Sequence, residues 1–253
     1  MLQIECLARH FASRSTHFGS VYSSDLSRAR ITAEGICRLQ PPNPDGTSIM
    51  PILTPDLRER DFGSLEGMNW NSTTAARDNA ARSGGGSSSI HRHIEGESSA
   101  SMERRATAFL SMHILPLLFD APSSEMNVAI VAHGIILRVL WNSLVGLFDP
   151  MDISMAPGIA PVEGGTTGLP IPSWSNTAFM KLSIQPRTTL SATHNSLPDH
   201  RTTTSSALLQ GWTMNVMAIN SREHLAVLRR TRGGIGSATH DTRQKRIEQF
   251  FKR

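Results

Sequence analysis

The sequence predicts an α/β fold with a parallel sheet, and three observations support that prediction. Residues 128–138 form a Val/Ile-rich run that stops at a His-Gly pair and resumes with helical spacing, as expected for a buried strand followed by a helix. Shorter strand-like segments occur at 19–23 and 52–53. The chain has 253 residues, of which 39% are apolar, so it can bury a substantial core within one domain.

His133 and Gly134 lie where this strand would end and its helix would begin. The helical part, 135–147, places apolar side chains such as Ile136 and Leu140 on one face. A side chain at such a junction lies beside free helix N–H groups and the positive end of the helix dipole, which together favour anions such as phosphate. The alternative is that His133 only caps the helix, and this stretch alone does not decide between the two.

Hydrophobic periodicity and turn residues predict the other elements. A second helix follows Ser24 or Asp25, either of which can cap it. Helix 101–119 is expected to bury Met112, and a late strand at 211–219 is expected at a sheet edge. The remaining predicted elements are helices at 2–14 and 222–230 and a strand at 174–184.

Several segments between these elements have compositions that cannot form a core. Residues 57–67 alternate charges around one aromatic residue and two glycines, which is typical of a shaped binding loop. Polar residues dominate 64–100 and 185–210, so we expect flexible insertions there. The predicted organisation is a domain at 1–232 with these two insertions, followed by a basic tail at 233–253.

Charge and cysteine content narrow the classes of protein. The formal net charge is +4, and residues 221–253 hold nine Arg or Lys against three Asp or Glu; such a tail alone identifies no nucleic-acid site. His133 and Arg138 interrupt the longest apolar run, so no membrane span is expected. Cys6 and Cys37 suit reduced thiols, and no secretory leader is recognised, which indicates the cytoplasm or the nucleus.

Three separated blocks, with two weaker ones, resemble a known family. The blocks are 23–34, 57–67 and 131–134, with weaker matches at 97–98 and 175–177. In order and spacing they resemble the histidine phosphatase superfamily, also called phosphoglycerate mutase-like, over about residues 2–184. The whole chain resembles the fungal members that carry a long C-terminal extension. The resemblance implies a three-layer αβα sandwich.

The resemblance also implies a phosphohistidine mechanism, in which a histidine attacks phosphorus and water or another alcohol then accepts the phosphoryl group. His133 would be the second histidine of the pocket and would donate a hydrogen bond to the phosphoryl group. Arg28, which in isolation would be a solvent-exposed arginine, would clamp the same oxygens. Glu59 would be the general acid. The implied catalytic residues are therefore His133, Arg28 and Glu59, and the implied phosphate-binding residues are Arg28, His133, Gly134, Ser24 and Arg58.

The substrate implied is a phosphorylated small molecule or a phosphoprotein, and no cofactor is implied. No metal is expected either. His91 and His93 lie in a polar segment without Cys or carboxylate ligands at metal spacing, so we expect them to face solvent rather than bind zinc.

One departure from the family pattern is large. The nucleophilic histidine of the family belongs to an Arg-His-Gly motif on the first strand, and no such motif occurs here. His10 follows an arginine but precedes Phe11 within a predicted helix, so it is not expected to be the nucleophile. The sheet should therefore lack its first strand, which would leave unpaired ladders on its neighbours. Either the sequence begins at an internal methionine of a longer gene, or the protein is a pseudoenzyme; the first is favoured.

The C-terminal tail carries a separate pattern. Gln244, Ile247, Phe250 and Phe251 match the spacing Gln-x-x-aliphatic-x-x-aromatic-aromatic, which resembles the interaction motif for the sliding clamp PCNA. In one tight turn the three apolar side chains would converge while the glutamine fills its own pocket. Flanking basic residues would favour an acidic partner surface. The alternative is an amphipathic helix that packs Ile247 and Phe251 back on the domain.

Two functions therefore stand at the sequence level. One is a phosphomonoester phosphatase of the histidine phosphatase family, inactive without its nucleophile. The other is a catalytically silent adaptor that binds the sliding clamp through residues 244–251. The two are compatible if one protein does both.

Overall fold

The computed structural model describes residues 2–63, 96–120, 126–159, 172–187 and 208–228. Most of the two predicted insertions and all of the tail at 233–253 lie outside these residues. The predicted clamp-binding residues Gln244, Ile247, Phe250 and Phe251, and the pair His91 and His93, therefore lie outside the described part of the chain.

Among the described residues, three parallel strands form the first sheet, in the order β2-β1-β3. The strands are β1 (Phe18–Ser24), β2 (Ile52–Thr54) and β3 (Asn127–Val131). The apolar residues of β3 alternate between two hydrophobic clusters, because successive side chains of a strand point to opposite faces. The predicted α/β fold with a parallel sheet is confirmed.

The second sheet has the order β4-β6-β5. It consists of β4 (Ile153–Met155), β5 (Phe179–Pro186) and β6 (Trp212–Ser221). The prediction of β6 as an edge strand is wrong, because it pairs with β4 on one side and β5 on the other. Strand β5 begins five residues later than the predicted 174, since Thr177 takes a positive φ of 57° in a turn.

Five α-helices occur in the described part of the chain. They are α1 (Leu2–Ser13), α2 (Ser27–Cys37), α3 (Ser99–Phe109), α4 (Leu115–Asp120) and α5 (Gly134–Val145). Short 3₁₀ turns lie at Pro55–Leu57, Pro150–Asp152 and Glu223–Leu225. In the described part of the chain, the last of these replaces the helix predicted at 222–230. No helix among the described residues is both long and apolar enough to cross a membrane.

A π-helical turn at Leu110–Ile114 separates α3 from α4. The wider turn shifts the register of the helical faces, so Leu110 is buried whereas Met112 is 67% exposed. The prediction of Met112 as a core residue is therefore wrong, because it assumed an uninterrupted period of 3.6 residues.

The core consists of two hydrophobic clusters on opposite faces of the first sheet. Val128 and Ile130 of β3 pack with one cluster, and Ala129 and Val131 pack with the other. Strand β5 also contributes to both clusters. Among the described strands, however, β3 pairs only with β1 and β5 pairs only with β6, so each of these two strands has one ladder without a partner strand in the described part.

We predict that Phe109→Ala lowers the free energy of unfolding by about 3–5 kcal/mol, since it creates a cavity in the larger cluster. Phe109 is fully buried and meets the Tyr22 ring edge-on at 5.5 Å. Met112→Ala, three residues further along, is the control and should change stability by less than about 0.5 kcal/mol. Urea unfolding measures both; equal effects would contradict the assignment of the core.

Candidate functional site

The carboxyl ends of the three parallel strands meet at one edge of the first sheet. Ser24 ends β1 and is paired with Thr54 of β2, and Ser23 is paired with Val131 of β3. Ligands of open α/β sheets bind beyond the carboxyl ends of the strands. The residues that follow these ends include His133, Arg28 and Glu59, so the topology brings the three predicted catalytic residues to one edge.

The His133 side chain is buried and does not cap α5. Its backbone occupies the N-cap position with extended angles, and its carbonyl accepts the Leu137 N–H at 2.9 Å. The imidazole makes no capping hydrogen bond. Instead, its Nε2 lies 3.1 Å from the Ser24 hydroxyl. The interpretation of His133 as a helix-capping side chain is therefore wrong.

The Ser24 hydroxyl is the hydrogen-bond partner of Nε2 of His133. Ser24 is fully buried, and its Oγ accepts the Leu26 N–H at 3.2 Å. The direction of the hydrogen bond between Ser24 and His133 depends on the ring tautomer: Ser24 Oγ donates to Nε2 when Nδ1 carries the proton, and it accepts from Nε2–H in the other tautomer. Burial lowers the pKa of His133, with the Arg28 charge adding to the effect and the Glu59 charge opposing it.

Arg28 is the second residue of α2, and only residues 25 and 26 separate α2 from β1. Its side chain is exposed, and its charge is close enough to lower the pKa of His133. Within the described ranges its guanidinium has no ion-pair partner. The site therefore contains a guanidinium that is available to an anion.

The Glu59 carboxylate lies at the N-terminus of α5. Its oxygens accept the N–H groups of Ile135 and Ile136, each at 3.3 Å, and also the Arg60 N–H at 2.9 Å. This is the position that the sequence assigned to a bound anion. A Cβ built on Gly134 would have no atom within 4 Å, so there is open space at the start of the helix beside the carboxylate.

Arg58 is engaged in an ion pair. Its guanidinium donates to both carboxylate oxygens of Asp25, at 2.6 and 2.5 Å. The hydrogen bond from Arg58 lowers the pKa of Asp25. The structure thus brings Arg58 to the same edge as Ser24, with its Nε and Nη2 engaged by Asp25.

Asp25 does not cap α2 as the sequence predicted, and neither does Ser24. The N-cap is Leu26, which makes no side-chain cap. Sequence reasoning also missed Arg105, whose guanidinium contacts the loop that carries Glu59. The sequence did contain a signal: Arg105 lies seven residues, about two helical turns, after Ser98, the N-cap of α3. Residues at that spacing lie on the same face of a helix.

His10 lies away from this site. Its ring contacts Phe11, Phe179 and His224. In the described ranges no second imidazole lies against His133, and no three His, Cys, Asp or Glu side chains converge as metal ligands.

Comparison with known proteins identifies the family. The sequence profile of the histidine phosphatase superfamily (branch 1) matches residues 1–154, which is more than half of the chain. The chain therefore belongs to this superfamily. A comparison with curated proteins gives no significant match.

Solved structures share the fold. One is mycobacterial glucosyl-3-phosphoglycerate phosphatase in complex with inorganic phosphate, with a TM-score of 0.51 and 18% identity over 88% of this chain and 85% of that chain. Another is named Mycobacterial hydrolase 1, with a TM-score of 0.50 and 17% identity over 87% of this chain and 83% of that chain. At these identities the similarity concerns the fold.

We predict that two charge-removing variants move the pKa of His133 in opposite directions. Arg28→Gln removes a positive charge that disfavours the imidazolium, so the pKa should rise; Glu59→Gln removes a favourable negative charge, so it should fall. NMR titration of the ring protons measures both. Arg9→Gln, whose side chain pairs with Glu5 on the surface of α1, is the control. Shifts in the same direction would contradict the proposed arrangement of charges.

Proposed function

We propose that this chain binds the phosphoryl group of a phosphomonoester beside His133 and that it serves phosphohistidine-type phosphatase chemistry. The observation that carries the proposal is the buried contact between Ser24 and His133, near the Arg28 guanidinium, which has no ion-pair partner among the described residues. A neutral imidazole with its proton on Nδ1 and a planar guanidinium offer several donors to one group of phosphoryl oxygens.

Each residue has a distinct role in the proposal. Arg28 offsets the negative charge of the phosphoryl group. In the transition state, negative charge also develops on the bridging oxygen. His133 donates from Nδ1 to a phosphoryl oxygen. Glu59, when protonated, gives its proton to the leaving oxygen and then takes one from the attacking water. The Gly134 backbone leaves open space at the helix start, and Arg58 would contact phosphate through the guanidinium N–H groups that Asp25 does not engage.

Without a nucleophilic histidine, the residues of this site cannot complete phosphohistidine chemistry. Phosphohistidine chemistry forms a P–N bond to one histidine as the P–O bond of the ester breaks, and water then cleaves P–N. The described residues include no imidazole beside His133 to form that bond, and the sequence has no Arg-His-Gly motif. We therefore expect phosphoryl binding without phosphoenzyme turnover from these residues.

The finer fold assignment belongs to the same proposal. We propose a three-layer αβα sandwich of phosphoglycerate mutase-like type that lacks its first strand. Within the described residues, β3 and β5 each have one edge without a partner strand, and these edges together with the shared hydrophobic clusters support this assignment. The substrate class is a phosphorylated small molecule or a phosphoprotein.

We predict that Arg28→Gln weakens binding of orthovanadate or inorganic phosphate about 10- to 100-fold, because a charge-assisted hydrogen bond contributes about 1.5–3 kcal/mol. Arg30→Gln is the matched control. Arg30 lies two positions along α2, is exposed, and forms an ion pair with Glu34 at 3.8 Å. Isothermal calorimetry measures the affinities.

The control should bind as the wild type does. Equal affinity of wild type and Arg28→Gln would contradict the site. Release of phosphate from p-nitrophenyl phosphate by purified residues 1–253, at rates typical of phosphatases, would contradict the expectation of binding without turnover.

A second proposal concerns the tail, and the sequence pattern alone supports it. The spacing of Gln244, Ile247, Phe250 and Phe251 favours an adaptor that binds the DNA sliding clamp. The alternative, a tail packed on the domain, uses the same apolar side chains.

We predict that a 241–253 peptide binds the clamp and that the double change Phe250→Ala, Phe251→Ala reduces affinity at least about 10-fold, because it removes most of the apolar contact. Fluorescence anisotropy measures binding, with Thr242→Ala as a control outside the pattern. No difference between the wild-type and double-variant peptides would dispose of the adaptor proposal.

A further inference from the structure

A partly buried ion pair between Glu97 and Arg105 lies against the loop that carries Glu59. The guanidinium donates from Nε and Nη2 to the two carboxylate oxygens of Glu97, at 2.8 and 2.6 Å. The side chains of Arg105 and Glu97 are 20% and 13% exposed. The Ser101 hydroxyl donates to the same carboxylate at 2.9 Å, so three hydrogen bonds hold the Glu97 carboxylate in one orientation.

The third guanidinium nitrogen of Arg105 contacts the Glu59 loop directly. Nη1 donates to the carbonyls of Asp56 and Arg58, at 2.7 and 3.0 Å, with Pro55 further away at 3.4 Å. The Arg58 carbonyl belongs to the peptide bond that begins Glu59. Arg105 therefore fixes the backbone immediately before the site carboxylate.

Glu97 fixes the backbone on the other side of Glu59. Its N–H donates to the Asp61 carbonyl at 2.7 Å, and its carbonyl accepts from Arg60 Nε at 2.9 Å. A Cβ on Gly96 would lie 2.7 Å from the Asp61 carbonyl, so glycine is required for this close approach. Glu97 and Arg105 together contact the chain before and after Glu59.

Besides these contacts, the ion pair of Arg58 with Asp25 holds the start of the loop, but the loop has no regular secondary structure. Residues 58–62 belong to no helix or strand, and the two hydrogen bonds from α5 to the Glu59 carboxylate are long, at 3.3 Å each. An irregular segment must lose conformational entropy to place one carboxylate. The backbone contacts of Glu97 and Arg105 offset that loss before any ligand binds.

We infer that Glu97 and Arg105 are positioning residues that place the Glu59 carboxylate on the N-terminus of α5. They act through the backbone of residues 56–61 and do not touch the phosphoryl group. The importance of this role for chemistry rests on the function proposed for the site, but the placement itself can be tested without any activity.

The test follows the amide resonances of Ile135 and Ile136 in ¹H–¹⁵N spectra of the full chain during acid titration. In the wild type both amides should shift as the Glu59 carboxylate takes up its proton, and Glu59→Gln should abolish that shift. In Arg105→Lys one ammonium group cannot reach both the Glu97 carboxylate and the two carbonyls. The titration amplitude at both amides should then fall below half of the wild-type value.

Two exposed residues of α3 provide matched controls. Arg104→Lys changes the neighbouring arginine, and Glu103→Gln is the control for Glu97→Gln. Glu97→Gln keeps the size of the side chain and removes its charge. If Arg105→Lys does not fold, Glu97→Gln therefore tests whether the Glu97–Arg105 ion pair positions Glu59. A folded Arg105→Lys or Glu97→Gln protein with a full titration at Ile135 and Ile136 would overturn the inference.

Failure of this inference differs from failure of the proposed function. Inorganic phosphate added to Arg105→Lys should still perturb the His133 ring, because Arg28 and Ser24 are unchanged. Absence of a phosphate effect in the wild type would count against the proposed function, whereas the amide titration would still report where Glu59 lies.

Discussion

The geometry of the candidate site depends on the parallel pairing of β1 with β3. Because Ser23 is paired with Val131, the two strands leave the sheet at the same edge, and the next residues bring the Ser24 hydroxyl within 3.1 Å of His133 Nε2. Both side chains are buried, so water competes little for this hydrogen bond. Arg28 needs only the first turn of α2 to join them.

The N-terminus of α5 is occupied by an anion of the protein itself. Its first free N–H groups and its dipole favour one negative group, and the Glu59 carboxylate takes that position through Ile135 and Ile136. In the proposed function, a phosphoryl group would therefore be bound by side-chain donors, His133 and Arg28. The helix stabilises the carboxylate, while the sheet edge holds the proposed phosphoryl-binding residues.

Local patterns explain how much could be predicted from the sequence. The strand-helix junction at His133 was predicted because the Val/Ile run and the helical spacing are both local. The three-residue β4 is too short to show a period, and β6 was consequently placed at an edge. Met112 was wrongly predicted to be buried because it lies in a π-helical turn, which amino-acid composition does not predict. The pairing of Arg58 with Asp25, 33 residues away, and the contacts of Arg105 depend on tertiary structure.

The most direct test is the protonation of the His133 ring itself, observed in long-range ¹H–¹⁵N spectra of the histidine side chains at pH 7 with and without inorganic phosphate. The proposed donation from Nδ1 to a phosphoryl oxygen predicts a neutral ring with its proton on Nδ1, and a phosphate-dependent shift at that nitrogen. A proton on Nε2, or a ring that does not respond to saturating phosphate, would contradict the account.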